Sequence, residues 1–244
     1  MTGLNVLSLF AGIGGLDLGL ERAGMRVVGQ VEIDPFCRSV LARHWPEVPR
    51  HDDVRTATRW WRSRPRPAVH VVAGGFPCQP VSDAGRKLAQ KDARWLWPEM
   101  AEVIAAVRPT WVVGENVPGL RTRGLTDVLR DLDRLGYRAR AGYISACEMG
   151  APHPRKRLFV LAHTKGEGRC PGRTQREGPA APDDDLTHLG GPRRRTGWPT
   201  EPRVGRVAYG VPSGVDRRRA LGNAVVPAAA EHIGRLISVR YPHS

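Results

Sequence analysis

Lysine is nearly missing from this chain: it occurs only at positions 87, 91, 156 and 165 of 244 residues. Cysteine is scarce too, at 37, 78, 147 and 170, and no two form a C-x-x-C pair. That spacing argues against a zinc knuckle, and four scattered thiols in a chain this long argue against a disulfide framework. No run of 18 apolar residues exists, and no basic-then-apolar leader pattern opens the chain. Neither a membrane span nor a secretion signal is therefore predicted. Together these absences predict a soluble protein of a reducing cytoplasm. No internal repeat is present either, which argues against a solenoid or an array.

What the chain does have is arginine and a core. Apolar residues make up 41%, enough for one sizeable core with a small appended domain. Lys plus Arg total 38 against 24 Asp plus Glu, a net charge of +14 and a pI near 10.8. A GC-rich genome explains the arginine-over-lysine ratio as well as function does, but it explains the net charge less easily. That charge favours a polyanionic partner. Guanidinium groups also fork onto phosphates and base edges as ammonium groups cannot.

Along the first 160 residues, apolar runs alternate with helical patterns. Strands are predicted at 4–10, 26–32, 69–75 and 110–117, with two more in "YRARAGYISA" and "RLFVLAH". Helices are predicted at 16–24, 35–45, 98–109 and 126–136, with Pro35 in the first turn of the second and Thr126 as N-cap of the fourth. Such alternation predicts an α/β fold, a mostly parallel sheet with helices on both faces. The pattern stops at 164–218, which is rich in Gly, Pro and Arg, and resumes in "RALGNAVVPAAAEHIGRLI" with a turn and a helix after Pro227. Residues 164–218 thus read as an insertion between two parts of one domain.

The chemistry gathers where strands end. "FAGIGG" closes the first strand and opens a helix, so glycines let the backbone approach a ligand beside unpaired helix N–H groups. The second strand ends in "EID", and Glu32 there can accept ribose hydroxyls; "DDV" at 52–54 offers an acid for an exocyclic amine. Each acid alone is more often a solvated loop charge, but in series they describe a nucleoside pocket at the carboxyl edge of a sheet. The third strand runs into "GGFPCQPVS". Pro77 and Pro80 stiffen a turn that carries one thiol, Cys78. A lone cysteine is usually a small buried hydrophobe, whereas a nucleophile needs exposure and nearby positive charge. Arg155, Lys156 and Arg157 in "HPRKRLF" are candidates for that charge, and Glu115 and Asn116 in "ENV" for an acid beside it.

These blocks, in this order and spacing, resemble the DNA (cytosine-5) methyltransferase family. "LSLFAGIGGLDLGLERAG" looks like its first cofactor motif, "VEID" and "DDV" like the next two, and "GGFPCQPVSDAG" like its nucleophile motif. "ARWLWPEM" resembles its substrate-adjacent helix start, "ENV" its catalytic glutamate motif, and "RALGNAVVP" its C-terminal motif. "GAPHPRKRLFVLA" resembles its Gln-x-Arg-x-Arg block, with His153 in place of the usual glutamine.

The resemblance implies a Rossmann-like methyltransferase fold using S-adenosyl-L-methionine, with no metal. It places Phe10, Ala11, Gly12, Gly14 and Gly15 around the cofactor's methionine part and Glu32 on its ribose. Ile33 flanks the adenine, Asp53 meets its amine and Val54 adds a backbone contact; Pro77, Asn223 and Val225 complete the pocket. In the implied reaction the Cys78 thiolate adds to C6 of a cytosine flipped from the duplex. C5 then takes the methyl, loses its proton, and the thiol departs. Glu115 hydrogen-bonds N3 and the amine, Arg157 meets the O2 side, Arg155 positions the base or a phosphate, and Asn116 orders the site. The segment 82–94 closes over the base, with Ser82, Arg86, Lys87 and Arg94 toward DNA. The expected units are a catalytic and cofactor-binding part at 1–163, a short target-recognition region at 164–218, and a returning segment at 219–244. The partner is double-stranded DNA, acted on by a monomer in a bacterial cytoplasm or by a phage enzyme in its host's. A restriction endonuclease with the same target is the further partner the family suggests. The tryptophans at 60 and 61, set among Arg59, Arg62, Arg64 and Arg66, read as packing before a strand more than as a DNA surface.

Overall fold

The computed structural model describes residues 3–77, 95–165 and 214–240, without the side chains of 214, 215, 217–219 and 240. Cys78, Ser82, Arg86, Lys87 and Arg94 lie outside the described residues, as do residues 166–213. The strands are β1 (Asn5–Leu9), β2 (Arg26–Val31), β3 (Arg50–His51), β4 (Val71–Gly74), β5 (Trp111–Asn116), β6 (Tyr137–Ser145) and β7 (Lys156–Thr164). They form one sheet in the order β3-β2-β1-β4-β5-β7-β6. The first five in that order are parallel; β7 is antiparallel to both its neighbours.

Both faces of the sheet are covered, because successive strand residues point to opposite sides and both sides are apolar. Leu7, Val72 and Val112 pack with Trp61 of α3 (Ala57–Arg62), Met100 and Ile104 of α4 (Trp97–Val107) and Leu132 of α6 (Leu125–Arg134). Val6, Val71 and Val113 pack with Leu16 and Leu20 of α1 (Gly15–Arg22) and Ala230, Ile233 and Ile237 of α8 (Pro227–Arg240). Helix α2 (Pro35–His44) starts as its sequence predicts: the Asp34 side chain accepts from the N–H groups of Phe36 and Cys37, and Pro35 takes the first turn.

The C-terminal helix lies on the N-terminal one. A Cβ at Gly19 would come within 2.3 Å of the Pro227 carbonyl oxygen, and one at Gly234 within 2.5 Å of the Ala23 Cβ. Bare backbone at both positions is what lets α1 and α8 approach so closely.

Four local features differ from the sequence reading. Strand β3 and helix α3 form between 50 and 62, where no periodicity announces them. Thr126 lies inside α6; the N-cap is Gly124, which follows the short helix α5 (Leu120–Arg123) and leaves no room for a side-chain cap. A further helix, α7 (Gly214–Asn223), precedes α8 and begins inside the stretch read as an insertion. Its sequence GVDRRRALGN carries no apolar stripe, so periodicity was silent.

Candidate active site

A cavity of about 540 Å³ opens at the carboxyl edge of the sheet, where β1 separates strands that run off to either side. Its floor is the turn from Phe10 to Gly14. Three residues of that turn are left-handed, with φ of 52° at Phe10, 56° at Gly12 and 84° at Gly14. Glycine takes such angles freely; Phe10 does so at a cost in strain, beside the cavity it lines. A Cβ at Gly12 would project into open space, leaving backbone exposed to whatever fills the cavity. Glu32 at the end of β2 braces the turn: its carboxylate accepts the Gly12 N–H at 2.7 Å and the Asp34 N–H at 2.8 Å. Ile33 is 66% exposed at the cavity mouth. Asp53 lines the opposite side and caps a short 3-10 turn by accepting from the Arg55 N–H. Asn223 and Val225 close the cavity from the end of α7.

All the residues expected around a cofactor line this cavity except Gly14. Gly14 instead backs onto Trp45, where a Cβ would come within 2.4 Å of the indole ring. It borders a second, more apolar cavity of about 710 Å³ behind the turn, lined also by Leu18, His153 and Leu221.

The acid and Arg157 meet at the first cavity because β7 runs backward. Its start, not its end, lies at the same edge as the ends of the parallel strands. Glu115 on β5 and Arg157 on β7 both line the cavity, with the Arg157 Nε 2.9 Å from Glu115 Oε1. The contact is a buried ion pair, and Oε1 takes no well-formed hydrogen bond from the described residues. Burial raises the pKa of Glu115 to about 7, against the opposing pull of Arg157 and Arg155. A Cβ at Gly75 would stand 3.0 Å from Oε2, so a side chain there would crowd the carboxylate.

Asn116 turns away from the cavity's centre to clamp its wall. Its Nδ2 donates to the Phe76 carbonyl at 2.8 Å, and its Oδ1 accepts the Val117 N–H at 2.9 Å. The Nδ2 end thus ties β5 to the segment that leads from β4 toward residue 78, while the Oδ1 end caps the backbone of the next residue. Arg155 does not line the first cavity; its Nη2 donates to the carbonyls of Gly222 at 2.6 Å and Ala224 at 2.8 Å.

The profile of the C-5 cytosine-specific DNA methylase family matches residues 4–184. The chain belongs to that family. The type II methyltransferase M2.BsuMI of Bacillus subtilis (strain 168) is 34% identical over 168 residues, 65% of this chain and 42% of that protein. The type II methyltransferase M.Eco47II of Escherichia coli is 36% identical over 165 residues, 64% of this chain and 39% of its own. The chain spans less than half the length of these curated relatives. Among solved structures, a protein described as a DNA modification methyltransferase encoded within an E. coli prophage aligns with a TM-score of 0.57 and 27% identity. That match covers 67% of this chain and 47% of the other. The S. pombe Dnmt2 methyltransferase aligns at 0.54 and 22% identity, covering 68% and 50%, a likeness of fold.

This member of the family carries one buried group that reading its motifs passes over. Asp17, in the first turn of α1, is fully buried. It accepts from Ser8 Oγ at 2.5 Å and from Gln30 Nε2 at 2.7 Å. Burial raises its pKa to about 6, and the two hydrogen bonds oppose that shift. Ser8 stands two residues before Phe10 and Gln30 two before Glu32, so the network ties together β1, β2 and α1 directly beneath the glycine turn. The available signal was an acid between Leu16 and Leu20, on the apolar face of a short helix. The tryptophan pair is packing, as its sequence suggests. Trp61 is buried over Gly29, Trp60 stacks on His51 at 5.0 Å, and the Arg66 guanidinium covers both indoles.

Proposed function

We propose that this chain methylates C5 of a cytosine flipped out of duplex DNA, with S-adenosyl-L-methionine as methyl donor. One observation carries the reading. A buried glutamate paired with an arginine shares a single cavity with a glycine turn, a strand-end acid and the backbone leading into Cys78. The residues fit that cofactor: open space over the left-handed Gly12, acids at two edges for hydroxyl and amine groups, and an exposed Ile33 for a flat base. When bound, the cofactor supplies an electrophilic methyl group.

The chain's own residues do the rest. With its pKa at about 7, Glu115 divides between the protonated form and the carboxylate paired with Arg157 near neutral pH. The protonated form can donate its proton toward N3 of the base as C6 is attacked. Arg157 fixes the carboxyl group and offers its remaining N–H groups to O2. Asn116 fastens the Phe76 carbonyl, which fixes the path by which Cys78 reaches C6. Cys78 supplies the thiolate that adds to C6 and is later expelled. Residues 164–218 serve as the target-recognition region, between a catalytic unit at 1–163 and a returning segment at 219–244. The reading is compatible with a solitary enzyme and with one paired to a restriction endonuclease of the same target. The charge of +14 supports a steep fall of DNA affinity with salt.

The test is transfer of label from S-adenosyl-L-methionine to mixed-sequence duplex DNA, by the native chain and by Cys78→Ala, with methylated bases mapped singly. Methyl on cytosine C5 that vanishes in the variant is the expected result, and it reveals the target site. Cofactor binding without transfer to DNA would overturn the substrate.

A further inference from the structure

Two arginines enter the site two residues apart, and the structure sends them to different places. Arg157 lines the first cavity and pairs with Glu115. Arg155 lines the second, on the far side of a wall made by Gly15, Ala224 and Val225, which border both cavities. Its Nη2 donates to the carbonyls on either side of Asn223, at 2.6 and 2.8 Å. Gly222 lies in the last turn of α7, and Ala224 follows that helix directly. A guanidinium there satisfies carbonyls that a helix end leaves unpaired and opposes the negative end of its dipole.

The wall is also held from the other side. A Cβ at Gly15 would come within 2.3 Å of the Val225 carbonyl oxygen, so α1 abuts the segment directly. Residues 222–225 are thus pinched between a bare helix start and one cationic side chain.

We infer that Arg155 is a positioning residue that latches the C-terminal segment into the cofactor wall, and not a contact to the target base or to a phosphate. The latch acts through Asn223 and Val225, which face the first cavity while their neighbours' carbonyls face the arginine. Two of the five guanidinium N–H groups are spent on Gly222 and Ala224; the buried Nε has no hydrogen-bond partner among the described residues, and the side chain lines the second cavity and not the first. This inference rests on the proposed function only where it speaks of cofactor affinity.

Arg155→Gln and Arg155→Lys separate the two roles. In the Gln variant, amide hydrogen exchange at 220–226 should rise at least tenfold while exchange in β5 stays unchanged. Calorimetric affinity for S-adenosyl-L-methionine should fall roughly tenfold, the scale of losing a charged hydrogen bond. The Lys variant should recover part of both, since an ammonium group still reaches one carbonyl. The slope of log DNA affinity against log salt should not move in either. A slope shallower by about one, as a lost phosphate contact gives, overturns the assignment whatever the cofactor does. Unchanged exchange at 220–226 overturns it equally. Should the Gln variant not fold, the Lys variant decides by the same two readings. If the native chain binds no cofactor, the proposed function fails, while the exchange measurement still decides the latch.

Discussion

Glu115 and Asp17 are both carboxylates buried against the same sheet, and burial raises the pKa of each. Their surroundings differ in one respect. Asp17 has a neutral donor on each oxygen and lines neither of the two cavities described above. Glu115 has Arg157 as an ion-pair partner at Oε1, an oxygen that takes no well-formed hydrogen bond from the described residues, and open space in front. A folded chain seldom leaves a buried acceptor unfilled unless something else is to fill it. The contrast teaches how to sort buried acids: the satisfied one holds the frame, and the unsatisfied one awaits a substrate.

The largest expected break in that symmetry is catalytic. Glu115→Gln should lower the rate of methyl transfer by about 10²–10⁴-fold, the usual worth of a general acid. At pH 4, where Glu115 is largely protonated in both states, it should change stability by about 1 kcal/mol or less, because the amide fills the same space. Methyl-transfer kinetics and denaturant melts on one preparation would check both halves. A stability loss as large as that of Asp17→Ala would erase the distinction.

Asp17→Ala should do the reverse. It leaves Ser8 and Gln30 as buried donors without an acceptor and should cost on the order of 2 kcal/mol at neutral pH. Turnover at saturating cofactor should survive, with cofactor affinity reduced because the glycine turn loses its support.

The pH dependence of stability sharpens the comparison further. Both acids have native pKa values above their unfolded ones, so the native state binds their protons more tightly. The resulting stabilisation is complete below the unfolded values of 3.8 and 4.5. It is lost as pH rises to about 6 for Asp17 and about 7 for Glu115. Each contributes on the order of 3 kcal/mol across its window. Urea melts from pH 4 to pH 8 should show this decline. Asp17→Asn should flatten its lower part and Glu115→Gln its upper part.

The smallest effect belongs to Asn116, which stands beside Glu115 yet is satisfied like Asp17. Asn116→Ala should cost about 1 kcal/mol of stability. Because the clamp holds the path into residue 78, turnover should drop while cofactor affinity stays within about twofold. Equal loss of both would mean that the clamp supports the whole cavity.

Most of the frame was legible in the sequence, for a physical reason. Strands buried on both faces need continuous apolar runs, and "LNVLSLF", "VHVVAGG" and "TWVVGENV" are such runs. Strand β3 is two residues long and pairs only with Gln30 and Val31, too little to leave a pattern. Helix α7 has no apolar stripe to betray it. At the site, the glycine turn, Glu32, Asp53 and Glu115 were legible because each closes a strand at one edge. The roles of Arg155 and Asn116 were not, since their hydrogen bonds reach residues 67 and 40 positions away in the chain. No local spacing encodes such a partner, and the same is true of Ser8 and Gln30 around Asp17.

The close fit of α8 on α1 bears on the order in which the protein is made. Ser238 reaches the carbonyl of Ala23 across 215 residues of chain. The glycine turn, Glu32 and Asp53 leave the ribosome early, and the wall that carries Asn223 and Val225 follows about 170 residues after Asp53. At ordinary synthesis speeds the gap is roughly 10–40 s. Through that interval the nascent chain holds only part of the cavity, so ligand cannot be gripped there until the segment after α7 has emerged and docked on α1.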